Sequence, residues 1–169
     1  MSAAPTTDLI AALAALGLDR PGRRIGQQLT AVSMTGTTGE THLYTSDGPT
    51  GLILPPLVTG DVLRVAAKVA CTGSANARTI QLKMGGAQMA YVSVAQSYQT
   101  GLDIEWRLVR ASDKWVGAAY ASPGVGSTGS ILTRSDVSDG QTLALTGQLA
   151  SAADTLTLMA ITVSLEPGR

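Results

Sequence analysis

Along most of the chain, apolar and polar residues alternate one for one. The clearest stretch is Asp61 to Cys71, where Leu63, Val65, Ala67, Val69 and Cys71 fall on one face and Val62, Arg64, Ala66 and Lys68 on the other. A period of two is that of a half-buried antiparallel strand, whose side chains point to opposite faces in turn. Arg78 to Met84 repeats it, with Ile80, Leu82 and Met84 set against Thr79, Gln81 and Lys83. Leu102 to Arg110 repeats it again, with Leu102, Ile104, Trp106 and Leu108 on one face and Asp103, Glu105 and Arg107 on the other. Further strands are expected at about 27–35, 40–46, 88–95, 114–121, 141–149 and 154–165. Turn residues such as Thr72-Gly73-Ser74, Gly85-Gly86, Ser122-Pro123-Gly124 and Ser138-Asp139-Gly140 separate them. Residues 47–60 read as a Pro/Gly-rich loop with a short edge strand, and 122–130 as an exposed Gly/Ser-rich loop. Many strands between such turns, with no helical pattern among them, indicate an all-β fold, a sandwich or a barrel.

The N-terminus has a different period. Leu9, Ile10, Leu13 and Leu16 recur at helical spacing among four alanines, behind Thr6, Thr7 or Asp8 as N-cap and before Gly17 as C-cap. A short α-helix is expected over 7–17, closed by the turn Asp19-Arg20-Pro21-Gly22. A helix of about eleven residues is not stable alone in water, so its apolar stripe must dock on something. The expected division is a helical arm at 1–24 and a sandwich domain at 25–169.

Composition narrows the function classes. The 169 residues suit one domain, and a chain of that length can bury a core without disulfides. Hydrophobic residues make up 44% and charged residues 14%, against about 25% charged in a typical globular chain. The polar surface must therefore come largely from Thr, Ser, Gln and Gly. Twelve basic and twelve acidic residues cancel, which leaves no footprint for nucleic acid; the one local cluster is Arg20, Arg23 and Arg24. No apolar run reaches the length of a transmembrane helix, and no basic region precedes the apolar stretch from Leu9 to Leu16 as a secretory signal would need. The product is expected to stay in the cytoplasm of the cell that makes it, or to leave inside a larger particle.

Candidate chemistry is sparse. One cysteine, Cys71, and one histidine, His42, rule out a disulfide framework, a multi-cysteine metal site and a histidine pair. Cys71 ends an apolar face and reads as a small buried hydrophobe. His42 has no nucleophile signature to serve and reads as a surface or strand histidine. Asp136 and Asp139 flank a turn but lack the ligand pattern of a calcium loop. Asp103 and Glu105 share a solvated face with Arg107, so an ion-pair row explains them more simply than glycosidase carboxylates. The Gly-rich pieces at 85–86 and 124–129 lack a Gly-Lys-Ser/Thr signature. No enzyme, cofactor or metal is expected. Among the aromatics, Trp106 belongs to a core face. Trp115 shares its face with Gly117 and Ala119, small residues that leave the ring either exposed to a ligand or filling an interface. Tyr98, in the polar segment 96–101, is the other candidate for contact with a glycan or partner.

The succession Gly60-Asp61-Val62-Leu63-Arg64-Val65, Arg78-Thr79-Ile80-Gln81-Leu82-Lys83-Met84-Gly85-Gly86, Ile104-Glu105-Trp106-Arg107-Leu108 and Asp154 to Val163 resembles the jelly-roll surface proteins of tailed bacteriophages and gene transfer agents: head decoration proteins, head spikes and fibres. The resemblance spans about residues 26–165 and carries no catalytic motif. It implies a jelly-roll-type antiparallel β-sandwich with a short N-terminal α-helix, and a virion structural protein on the particle surface, made in the host cytoplasm. It also implies a homo-oligomer, trimeric or pentameric, docked on a capsid or neighbouring virion protein. Leu9, Ile10, Leu13, Leu16, Arg20, Arg23 and Arg24 would form the docking arm. The alternative is a carbohydrate- or receptor-binding module that contacts cell-surface glycan.

Overall fold

The computed structural model describes residues 22–48, 51–95, 98–112, 114–121, 127–129, 132–134 and 141–168. They form an all-β antiparallel sandwich. In chain order the strands are β1 (Arg23–Gln28), β2 (Val32–Thr35), β3 (Thr41–His42), β4 (Leu52–Ile53), β5 (Val62–Thr72), β6 (Arg78–Met84) and β7 (Ala87–Val94). They continue with β8 (Tyr98–Arg110), β9 (Trp115–Ala121), β10 (Ser127–Gly129), β11 (Leu132–Arg134), β12 (Thr142–Leu149) and β13 (Thr155–Glu166). One sheet has seven strands in the order β1-β13-β5-β8-β9-β11, with β2 also on β13. The other has six, in the order β10-β7-β6-β12-β3, with β4 also on β12.

The inward faces are the apolar sets of the alternation. Leu63, Val65, Val69, Ile80, Leu82, Leu102, Trp106 and Leu108 are all fully buried. Each such aliphatic side chain contributes roughly 1.5–3 kcal/mol relative to an exposed one. In β13 the alternation breaks: Leu156 and Leu158 point inward, and so do Ile161, Val163 and Leu165. A β-bulge between Leu158 and Ala160 absorbs the extra residue and keeps both halves in phase. It also explains why the strand expected at 27–35 is two strands. β1 pairs with one side of the bulge, from Ile161 to Leu165, and β2 with the other, from Thr155 to Leu158.

Two cross-sheet connections meet at one buried ion pair. Arg78 opens β6 and Asp154 precedes β13; their side chains are fully buried with Nη2 3.4 Å from Oδ1. Arg78 donates to the carbonyls of Thr72, Ser74 and Asn76, while Asp154 accepts from the Ser74 amide and hydroxyl. A charge removed from water needs partners of this kind. Those bonds, the Ser74 amide first, hold the Asp154 carboxyl below its ordinary pKa. Near the β1 edge, Gln28 plays a similar part, accepting from the Thr45 and Ser46 amides and donating to the Leu43 carbonyl.

Several expectations need correction. Among the described residues the first strand is β1, which places Arg23 and Arg24 on it as exposed residues. The strand expected at 40–46 contracts to Thr41–His42, followed by Leu43 and Tyr44 amides bonded to the Leu145 carbonyl. Residues 127–129, expected in a loop, pair with β7, and β11 has no counterpart in the expected strands. The expected edge strand within 47–60 is β4. The helix expected at 7–17, with Leu9, Ile10, Leu13, Leu16 and the following Arg20, lies outside the described residues.

Candidate functional site

The sandwich presents two outer faces, built from the residues that the alternation sends away from the core. On the seven-stranded sheet that face carries small residues and paired charges. Arg64 Nη2 lies 2.6 Å from Glu105 Oε2, Arg107 Nη2 3.3 Å from Glu166 Oε2, and Lys68 Nζ 3.8 Å from Asp103 Oδ1. The expected ion-pair row is present, but its partners lie across strands: Glu105 pairs with Arg64 of β5, not with Arg107 of its own strand. A shallow depression of about 330 Å³ over Ala66 and Ala160 is walled by Lys68, Asp103 and Glu105. Its charged walls already answer one another.

The six-stranded sheet differs. Register places His42 of β3 opposite Thr146 of β12, Thr146 opposite Gln81 of β6, and Gln81 opposite Tyr91 of β7. A parallel row holds Ala144, Lys83 and Gln88, and another Gln148, Thr79 and Ser93. With neighbouring strands about 4.8 Å apart, the row from His42 to Tyr91 spans about 14 Å. It offers an imidazole, a hydroxyl, an amide and a phenol ring. Tyr91 and Gln81 are half-buried and make no side-chain hydrogen bond to another described residue.

At the β3 end of this row lies a depression of about 320 Å³ bounded by Glu40, His42, Lys83, Gly85 and Thr146. Lys83 Nζ is in close contact with Glu40 Oε1. That contact holds the Glu40 carboxyl below its ordinary pKa. Thr146 is 1% exposed, and its Oγ1, though near Glu40, completes no hydrogen bond among the described residues. Gly85 (φ 56°) and Gly86 (φ 81°) form the β6–β7 turn at the rim. Gly85 lies in the left-handed region that side chains rarely adopt, so the turn favours glycine there.

Of the residues singled out from the sequence, His42 borders this site, and Trp115 and Tyr98 do not. Trp115 is 1% exposed, which excludes the ligand-facing reading for this chain. Small neighbours opened space inward instead: Gly117 is filled by Leu108, whose Cδ2 occupies the place of a side chain, and the Arg110 guanidinium stands 5.6 Å from the Trp115 ring centre. Tyr98 is not in a loop; it opens β8, opposite Thr72. Trp106 and Cys71 lie in the core as expected, and burial raises the Cys71 pKa. His42 is an exposed strand residue, as expected. Among the described residues no three of His, Cys, Asp and Glu gather as a metal site requires. Sequence reasoning passed over Tyr91, Gln81, Glu40 and Thr146. The available signal was the polar face of Thr79, Gln81 and Lys83, but nothing showed which strands would lie beside it.

No family model matches the sequence, and no curated protein does. Solved structures share the strand arrangement loosely. Arcelin-5, a lectin-like defence protein from Phaseolus vulgaris, aligns over 89% of this chain and 100% of its own at 8% identity and a TM-score of 0.43. A lectin from Bauhinia forficata in complex with GalNAc aligns over 88% and 99% at 7% identity and a TM-score of 0.44. The CBM2 module of the evolved Dit protein of Lactobacillus casei BL23 phage J-1 aligns over 88% and 97% at 10% identity and a TM-score of 0.32. At these levels of similarity no ligand or activity is carried over to this chain.

Proposed function

We propose that this chain is a non-enzymatic carbohydrate-binding β-sandwich that holds a neutral glycan on the outer face of its six-stranded sheet. The row His42–Thr146–Gln81–Tyr91 carries the reading. A sugar presents hydroxyl groups that both donate and accept, and apolar C–H faces. It is matched by neutral hydrogen-bonding side chains beside an aromatic ring, held on strands rather than on loops. The opposite face offers no such set: its polar groups near the depression are charged side chains rather than neutral hydrogen-bonding groups beside a ring. A place on a phage-like particle is the setting that the sequence resemblance implies. A glycan-holding module there would attach the particle to a cell surface.

The test is a glycan array probed with the full chain, repeated with Tyr91→Ala and Gln81→Ala. Binding to a neutral glycan that drops on the order of tenfold in each variant supports the reading. A chain that binds no glycan, or whose binding ignores both substitutions, overturns it.

A further inference from the structure

The face has a long open row and, at one end, a depression of different character. We infer that the depression between Glu40, Lys83 and Thr146 is the specificity subsite of this face and takes the vicinal diol of a terminal hexose. The inference rests on the glycan-binding reading and deepens it.

Three observations point to a diol. First, Glu40 and Lys83 set a strong acceptor beside a strong donor, and their contact holds both side chains in place before any ligand arrives. A hydroxyl can accept from the ammonium while donating to the carboxylate. Adjacent ring hydroxyls present such groups side by side. Second, the Thr146 hydroxyl is buried in the wall of the depression with its hydrogen bond uncompleted. Buried polar groups are nearly always satisfied, so one left open at a depression is a position for a ligand atom. Third, the pair sums to zero charge, which disfavours a free anion at Lys83. The Gly85-Gly86 turn keeps the rim low, so a ring can enter without meeting a side chain.

The subsite also accounts for the geometry of the row. A terminal sugar seated at Thr146 directs the rest of a chain across Gln81 toward Tyr91. Thr146 and Glu40 would then choose the sugar, and Tyr91 would hold its neighbour. A site built to hydrogen-bond a hydroxyl discriminates strongly against the deoxy analogue, because the site's own polar groups are left unpaired.

The experiment is an amide-shift titration of the full, isotope-labelled chain with the methyl glycosides of glucose, galactose and mannose and their single-deoxy analogues. The wild type, Glu40→Gln, Thr146→Val, Thr146→Ser and Tyr91→Ala are compared. The expected result is shifts at Gly85, Gly86 and Thr146 with at least one hexoside, and a loss on the order of tenfold or more with one deoxy analogue. Glu40→Gln and Thr146→Val would lose affinity to a similar degree, while Thr146→Ser, which keeps the hydroxyl, retains it. Shifts confined to Gln81 and Tyr91 and insensitive to Glu40→Gln and Thr146→Val overturn the subsite and leave the glycan-binding reading standing. Shifts at the depression produced by inorganic phosphate but by no sugar overturn the diol. If neither the titration nor the array finds a sugar, both readings fall.

Discussion

The two outer faces come from one folding rule and end with different chemistry. Both consist of residues that alternation turns away from the core. On the seven-stranded sheet the outward residues of β5, β8 and β13 are mostly alanine, threonine and charged groups that pair across strands, with Val109 and Met159 exposed among them. On the six-stranded sheet the outward residues of β6, β7 and β12 are mostly amides, hydroxyls and a tyrosine, and Lys83 pairs with Glu40. Paired charges exposed to water make a soluble, self-satisfied surface that contributes little to stability. Gln81 and Tyr91, which make no side-chain hydrogen bond to another described residue, leave hydrogen-bonding capacity for something else. Polarity alone therefore does not mark a binding face; what marks it is polarity with partners still to find.

The comparison can be broken most severely by removing what holds the faces in place. Arg78→Ala strips the buried partner from Asp154 at the meeting of two cross-sheet connections. We expect a melting temperature lower by roughly 10 °C or more, read by circular dichroism, with both faces lost together on unfolding. Acid attacks the same point. Asp154 has a folded-state pKa below its ordinary value, so its contribution is present above about pH 4 and disappears as pH falls through the lower folded value. Glu40 acts in the same direction. Melts from pH 7 down to 2 should show falling stability below about pH 4. Asp154→Asn should flatten that slope, and an equal slope in the variant would remove Asp154 as its source.

Substitutions on the faces themselves sharpen the contrast. Tyr91→Ala should weaken glycan binding on the order of tenfold while the melting temperature moves by only a few degrees, since the ring is half-buried. The mirror experiment is Arg64→Ala on the opposite face. It removes an exposed ion pair, so the melting temperature should stay within about 2 °C and binding should not change. If Arg64→Ala abolished binding and Tyr91→Ala did not, the assignment of the two faces would be reversed.

Much of the fold was legible because burial writes itself into sequence as a period. Leu63 to Cys71, Ile80 to Met84 and Leu102 to Leu108 were placed inward by alternation and lie there. The failures came where alternation carries no information. β11 is three residues long, too short to show a period, and β3 is two. Trp115 departs from the expectation because small neighbours on its face, Gly117 and Ala119, do not show what fills the space beside them. In the structure the space at Gly117 belongs to Leu108 across the ladder. The site was illegible for a related reason. Tyr91 and Gln81 are ordinary outward residues until their cross-strand neighbours are known.

By itself, then, the sequence determined which residues face inward, where most strands turn, and that the chain is all-β. Those properties follow from side-chain polarity and spacing along one strand, which are local. Only the tertiary structure decided that β3, β12, β6 and β7 lie side by side. His42, Thr146, Gln81 and Tyr91 are scattered along the chain and become a row through hydrogen-bond register between strands. Register depends on how two sheets close over a shared core and where bulges such as that at Met159 shift the count. No window of sequence contains that information, because the partners that set it are elsewhere in the chain.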